Sequence, residues 1–402
     1  MTAAGDITEF GEEFVQDTHA VLAALREGGP VRRVRLPDGG PCWLVGGYAD
    51  VRALLADSRL AKDSTRTHEL FQARRGEEEL DAPAMELVGH MLNSDPPKHT
   101  RLRRLVNKAF TSRTVSRLRP RIEEITAGLL DAMAGKPSAD LLPEFAAPLP
   151  ITVICELLGV PLDRQADFTG WSSTLLSNAG PEASMAAAGQ MHGYLVELIA
   201  YKRAEPAEDL LSDLVHASEE GDRLSDAELV SMAFLLLVAG YETTVNLIAN
   251  GVLALLRAPD QLALLRSDPA LLPGAVEEFL RYDGPIILAT MRFTTAPVEI
   301  GEVTVPADEF VLLSLLGANR DAARFDDPDR LEVTRAEGGH LAFGHGIHYC
   351  VGAPLARLEA EIAIGALLAR FPALRLAGEP GSLRWRDSSL VHGLESLPVS
   401  LA

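Results

Sequence analysis

Cysteine is scarce in this 402-residue chain, with only Cys42, Cys155 and Cys350. They are odd in number, far apart and without Cys-x-x-Cys spacing. That excludes a disulfide framework and a cysteine-rich zinc site, and it fits a reducing cytoplasm. Aromatic residues are few, at 5%, while alanine and leucine abound, which leans helical. Basic charge is in deficit, 37 Lys and Arg against 57 Asp and Glu, for a net charge of −20. Such a surface repels nucleic acid and anionic membranes as a whole, so neither is expected as a partner. The start, MTAAGDITEFGEEF, has no basic or apolar region of a signal peptide. The longest apolar run, Met232–Tyr241, is too short to span a bilayer. Repeats, low-complexity tracts and convincing linkers are also lacking, so one domain over 1–402 is expected. A hydrophobic content of 47% excludes intrinsic disorder.

What is present reads as a mainly α chain with small β-sheets. VRRVRL and CWLVGG flank PDGGP, a β-hairpin with its turn at Asp38–Gly40, and YADVRALLAD reads as a short helix. Residues 62–92 have a weak polar pattern, expected to be mostly loop with helical fragments. Helices dominate from His99. Residues 285–317 mix Val, Thr and Ile with Gly and Pro and suggest short strands. A last helix is expected from Ala353 to about Phe371, and the tail LRWRDSSLVHGLESLPVSL alternates like strand–turn–strand.

One helix stands out. Ser225 to Leu256 opens with a capping-box pair, Ser225 and Glu228, and would be about 45–50 Å long at 1.5 Å per residue. Its middle is apolar on nearly every face and should be buried. Gly240, Glu242, Thr243 and Thr244 break that rule. A packing glycine with threonines bonded to the previous turn accounts for them. So does a helix that opens beside a ligand and presents an acid and a hydroxyl.

Two charged pairs share helix faces. Glu278 and Arg281 are three residues apart, which alone is an ordinary ion pair. His99 and Arg103 are four apart, within a segment, Lys98 to Arg121, that holds nine Lys or Arg and no acid. A solvated basic helix competes there with a dock for an acidic protein or an anionic cofactor. Cys350, in FGHGIHYCVGAP, precedes a helix whose first turn holds Pro354. The helix dipole and free amides would stabilise a thiolate there. A nucleophile paired with His345 or His348, and an inert buried cysteine, remain open at this point.

FGHGIHYCVG resembles the haem-binding loop of the cytochrome P450 haem-thiolate monooxygenases, with Phe343, Gly346, Cys350 and Gly352 in its pattern. AGYETT resembles the family's oxygen-activating segment, EEFLR its Glu-x-x-Arg, and ANRDAARFDDPDRLEVTR the meander before the haem loop, apart from Ala322 where proline is usual. The four motifs keep the family's order and spacing over nearly the whole chain.

The resemblance implies a P450 fold, a triangular helical prism around a buried haem b, one per chain, with Cys350 as axial thiolate. It implies propionate partners His99, Arg103, Arg292 and His348. Ala239 and Gly240 would loosen the helix, Thr243 would hydrogen-bond the oxygen substrate, and Glu242 would relay protons. Glu278 and Arg281 would lock the core with Arg320 or Arg324. Electrons would come from a ferredoxin and its reductase, with the ferredoxin docking on the basic segment. The pocket would be lined by Met85, Val88, Leu92, Leu176, Met191, Phe234, Leu235, Val238, Ile286, Ile287, Thr290, Val391 and His392. The substrate would be a bulky lipophilic metabolite, macrolide or polyketide, with steroids, terpenoids and fatty acids as alternatives. A ligand-binding haem protein without oxygen chemistry is the competing class. Asp81 and Glu86 would receive an amino sugar, or be solvated loop charges.

Overall fold

The helix Asp226–Arg257 organises the molecule. Its start is fixed by the capping box: Glu228 N donates to Ser225 Oγ at 3.2 Å and Ser225 N to Glu228 Oε2 at 2.9 Å. It packs against the helices Pro148–Leu158, Pro181–Ala204, Leu272–Asp283 and Ala353–Arg370. This helix is long and apolar enough to cross a membrane, but 78% of its most apolar window is buried inside the protein. The computed structural model describes residues 7–37, 40–75, 82–107, 110–216, 223–336 and 338–402.

Two glycines set how closely the neighbouring helices approach. A Cβ on Gly240 would lie 3.0 Å from Ile154, and one on Gly251 would lie 3.0 Å from Phe279 and 3.2 Å from Ile364. The helix runs unbroken through Gly240. The expected loosening there is not found, and the glycine serves close packing instead.

Beside this helical body, a six-stranded sheet runs in the order Thr8–Glu9, Val31–Arg35, Pro41–Val45, Phe310–Leu313, Arg292–Thr294, Leu60–Ala61. The hairpin is as expected, pairing Val31 with Val45 and Arg35 with Pro41. Residues 38 and 39 of its turn lie outside the described residues. Residues 62–92 are more helical than expected, with helices Ser64–Arg75 and Ala82–Leu87. Asp63 caps the first, its Oδ1 accepting from Arg66 N at 2.9 Å. That helix buries little beyond Leu70, so it carries no apolar period for a sequence to show. The tail is mostly irregular, held by the isolated bridges Ile286–Val391 and Trp385–Leu394 before the strand Pro398–Ser400.

A buried latch ties the two ends of the chain to the core. His19 Nε2, from the helix Thr18–Glu27, lies 2.7 Å from Asp283 Oδ1, and His392 Nε2 lies 3.0 Å from the same oxygen. The His392 ring stacks on Trp385 at 3.8 Å, and Asn250 donates to the carbonyls of Asp283 and His392. The sequence reading expected His392 to line the pocket, but this latch occupies it instead. Burial, helped by Arg320, lowers His19 to about 4. Burial raises Asp283, but the two imidazoles outweigh it and hold the carboxyl well below its usual range. Between pH 6.5 and about 4, the unfolded chain takes up a proton at His19 that the folded chain refuses. Stability should therefore be full above that window and fall as the pH drops through it, by at most about 3 kcal/mol. Denaturant midpoints measured from pH 7 to 4 should fall less steeply in His19→Gln than in the wild type, and parallel curves would contradict this.

Candidate functional site

The loop before the helix Ala353–Arg370 is shaped by glycines at two positions. Gly344 and Gly346 take φ of 72° and 77°, in the left-handed region, and a Cβ on Gly346 would meet Leu55 O at 3.0 Å. Gly344 N donates to Leu341 O at 2.8 Å. The amides of Gly352 and Ala353, at the helix N-terminus, favour the ionised Cys350 sulfur. Cys350 N donates to Phe343 O at 2.9 Å, which closes the loop. The cysteine lies deep in the protein, yet its side chain is open rather than packed. Burial pushes its thiol up, while the two amides and the charges of Arg103 and Arg357 pull it back. The other two cysteines are buried and inert, their thiols pushed up to about 12 by burial.

A wall of cationic side chains lies beside the cysteine. Arg103 donates to Tyr349 O at 2.6 Å. The ring of His99, on the helix Lys98–Asn107, is 4.4 Å from that of His348, and both His99 nitrogens are buried without a hydrogen-bond partner. Arg292 is 4% exposed and donates to Thr290 O at 3.1 Å. Lys62, absent from the sequence expectations, belongs to the same wall. Burial lowers every one of these groups, Arg292 to about 10 and His348 to about 2, and their mutual repulsion adds to it for Lys62, His99 and His348. Asp95 is the carboxylate that opposes this for Lys62, His99 and Arg292. A buried wall so short of anions, with an unpartnered imidazole, fits a haem whose propionates would supply the missing carboxylates. Cys350, beside that wall, would be the residue to hold the iron of such a haem.

The central helix presents a gap in its burial. Ala239 is exposed although Leu235–Val238 before it and Tyr241 and Glu242 after it are buried. Thr243, one turn on, donates from Oγ1 to Ala239 O at 2.8 Å. Glu242 is 2% exposed and is not a free acid, since Arg386 NH1 donates to Oε2 at 2.7 Å and Tyr241 OH to Oε1 at 3.1 Å. Arg386 also holds Ser173 Oγ. Its distance along the chain from Glu242 hid this pairing from the sequence.

Glu278 and Arg281 are far from an exposed pair. Their side chains are each 2% exposed and form a fork, with Nε–Oε2 at 2.6 Å and Nη2–Oε1 at 2.9 Å. Arg281 further donates to the carbonyls of Asn319, Pro328 and Arg330. The arginine that completes the cluster is Arg335, whose Nε reaches Glu278 at 3.2 Å. It is neither Arg320, which donates to Tyr282 O and lies over the Tyr282 ring, nor Arg324, which donates to Gly338 O.

The expected pocket residues are only partly brought together. Ala82–Leu87, with Met85, packs against the central helix bearing Phe234, Leu235 and Val238 and against the helix bearing Met191. Val88, Leu92 and Leu176 are half-buried nearby, whereas Met191 is wholly buried in the helical core. Ile287 belongs instead to the cluster around Phe10, Phe14 and Leu22, while Ile286 packs toward Trp43 and bridges Val391. Thr290 accepts a hydrogen bond from Lys62 and sits on the cationic wall, not among apolar lining. Glu86 Oε2 lies 3.2 Å from His192 Nε2, and Asp81 is outside the described residues. His345 has a place in a cavity of about 620 Å³ beside the cysteine loop, with Arg52, Arg324, His340, Tyr349 and Arg357.

Residues 168–380 match the family model described as Cytochrome P450. The chain is 55% identical to Cytochrome P450 107B1 of Saccharopolyspora erythraea, over 98% of this chain and 97% of that one. It is 50% identical to the Vitamin D(3) 25-hydroxylase of Pseudonocardia autotrophica, over 98% of this chain and 96% of that one. Among solved structures, it resembles the tirandamycin C-bound P450 monooxygenase TamI with a TM-score of 0.93 and 52% identity, covering 98% of this chain and all of that one.

Removing Arg335 would leave part of a buried carboxylate unpaired, whereas Arg320 does not touch it. Arg335→Met should therefore cost about 3 kcal/mol of unfolding free energy, while Arg320→Met should cost about 1 kcal/mol. Equal losses in denaturant titrations would reject this assignment.

Proposed function

Since the chain belongs to the cytochrome P450 family of haem-thiolate monooxygenases, we propose that it inserts one atom of O2 into a bulky lipophilic metabolite, a macrolide or other polyketide, by hydroxylation or epoxidation. The observation that carries this reading is the open Cys350 side chain facing an anion-poor cationic wall, with the hydroxyl of Thr243 at the gap in the central helix. Haem iron held by a thiolate supplies oxygen chemistry, because the sulfur pushes electron density toward O–O cleavage. We assign one haem b to the single catalytic domain, 1–402.

The chain's own residues then divide the work. Gly352 N and Ala353 N stabilise negative charge on Cys350. Arg103 and Arg292 would neutralise the propionates as permanent charges, and His99 and His348, whose basicity burial lowers, would hydrogen-bond them. Thr243 spends its proton on Ala239 O, so its lone pairs are what it offers the cavity until the hydroxyl turns. Glu242 acts from behind Arg386 and Tyr241, so a proton relay through it requires that ion pair to open. The half-buried apolar side chains of Phe234, Leu92, Met85 and Val88 suit a mostly apolar substrate. Relatives of this kind tailor macrolides and polyketides, and TamI holds tirandamycin C. A steroid-like substrate is the second reading, favoured by the likeness to the Vitamin D(3) 25-hydroxylase.

For electrons we propose a ferredoxin with its reductase in the cytoplasm. Much of the basic segment is already paired: Arg101 with Glu228, Arg119 with Glu123, and Arg121 with Glu124 and Glu156. Arg104, Arg113 and Arg117, whatever their own contacts, are exposed, and the cavity beside the cysteine loop adds Arg52 and Arg324, while its Arg357 is forked onto Glu277. An acidic ferredoxin is the complementary partner.

Three experiments test these readings. The reduced, CO-treated protein should show the strongly red-shifted Soret band of a thiolate ligand, and Cys350→Ala should abolish it. Thr243→Ala should keep that band but divert NADH-driven turnover from product to peroxide, and full coupling in it would remove the role given to Thr243. Charge reversal at Arg104 together with Lys108, which lies outside the described residues, should slow ferredoxin-supported turnover about tenfold at low salt and flatten its salt dependence. Unchanged kinetics would move the dock elsewhere.

A further inference from the structure

Lys62 follows the strand Leu60–Ala61 and is 2% exposed. Its ammonium donates to Thr290 Oγ1 at 2.5 Å, which is a neutral acceptor. The carboxylate that acts on it is Asp95, but Asp95 Oδ2 already accepts from the backbone amides of Lys62 and Asp63, both at 2.9 Å. Basic groups surround it. Arg292 opposes its charge, and its own charge opposes protonation of His90, His99 and His348. A buried ammonium beside a guanidinium costs several kcal/mol unless an anion completes the site. Thr290 stands two residues before Arg292 on the same segment, so the ammonium shares a wall with an arginine already assigned to the propionates.

We propose that Lys62 is a further binding residue for the haem propionates, beside His99, Arg103, Arg292 and His348, with Thr290 positioning its ammonium. The inference rests on the haem-thiolate reading. It adds a compact, rotatable point charge to the fixed guanidinium forks. Nothing is transferred covalently.

The test uses the holoprotein and compares Lys62→Met with wild type. Haem transfer to excess apomyoglobin should be about tenfold faster in the variant, as expected for losing a hydrogen bond to a charged group. The ferric/ferrous potential should move to a more negative value, because a nearby positive charge that favours the added electron is gone. Lys62→Arg should restore most of both. Thr290→Val keeps the charge and removes the positioning bond, so its potential should stay near wild type. Reconstitution with haem dimethyl ester, whose propionates are capped, should shrink the difference between Lys62→Met and wild type. If Lys62→Met does not yield folded holoprotein, Lys62→Gln carries the same expectations. Wild-type haem transfer and potential in the neutral variant would overturn the proposal, and so would an equal change in Thr290→Val. A lysine serving a carboxylate on the substrate would give the former result. Failure of the family reading is separate, since the wild type would then lack the red-shifted CO band.

Discussion

The guanidinium of Arg281 is the point from which the cysteine hangs. Buried at 1% exposure, it is fixed by the Glu278 fork and donates to carbonyls of the irregular segment that follows the last strands of the sheet. Glu278 returns the support by accepting from Glu332 N and Arg335. One of the residues so held, Asn319, accepts from Leu341 N at 2.6 Å. Leu341 O accepts from Gly344 N, and Phe343 O from Cys350 N. A helix-borne ion pair is thus connected to the thiol by consecutive hydrogen bonds through a segment with almost no regular structure. Such a segment has no ladder of its own to satisfy its backbone, so buried side chains must do it.

The same logic explains why the acid of the central helix is tolerated. Glu242 sits among apolar side chains and would be costly alone, but Arg386 from the tail reaches it. The tail is therefore anchored twice to the central helix: by Arg386 at Glu242 and by Asn250 at the His392 carbonyl. This accounts for an irregular tail that is nevertheless buried. Its side-chain anchors on the helix supplement the bridges at Ile286–Val391 and Trp385–Leu394 and the pairing of Pro398–Ser400.

The helical body, the hairpin and the sites of the capping box, cysteine loop and buried ion pair were legible because each is a local pattern. Ser225 and Glu228 are three residues apart, Glu278 and Arg281 likewise, and glycines flank Cys350. What was not legible is long-range. Arg335 in place of Arg320 or Arg324, Arg386 at Glu242, Asp283 at His392, and Lys62 on the cationic wall all join distant segments, and no spacing encodes them. Gly240 was misread for a related reason. A glycine in a helix interior signals either opening or close approach, and only Ile154 across the interface decides between them. The helix Ser64–Arg75 was missed because both of its faces are mostly polar.

The distribution of charge closes the argument. A chain of net charge −20 carries basic groups that are buried together, with Asp95 as the carboxylate acting on Lys62, His99 and Arg292. Self-repulsion and desolvation there oppose the folded state and lower the basicity of Lys62, His348 and Arg292. A fold that keeps such a wall is tuned to a state in which something anionic is bound, and binding that favours only the folded chain stabilises it by mass action. Burial that is a liability for the protein alone becomes the source of affinity and orientation for the group it holds. The acidic exterior can keep competing anions away from the same wall. Folding and cofactor capture are then two readings of one electrostatic imbalance.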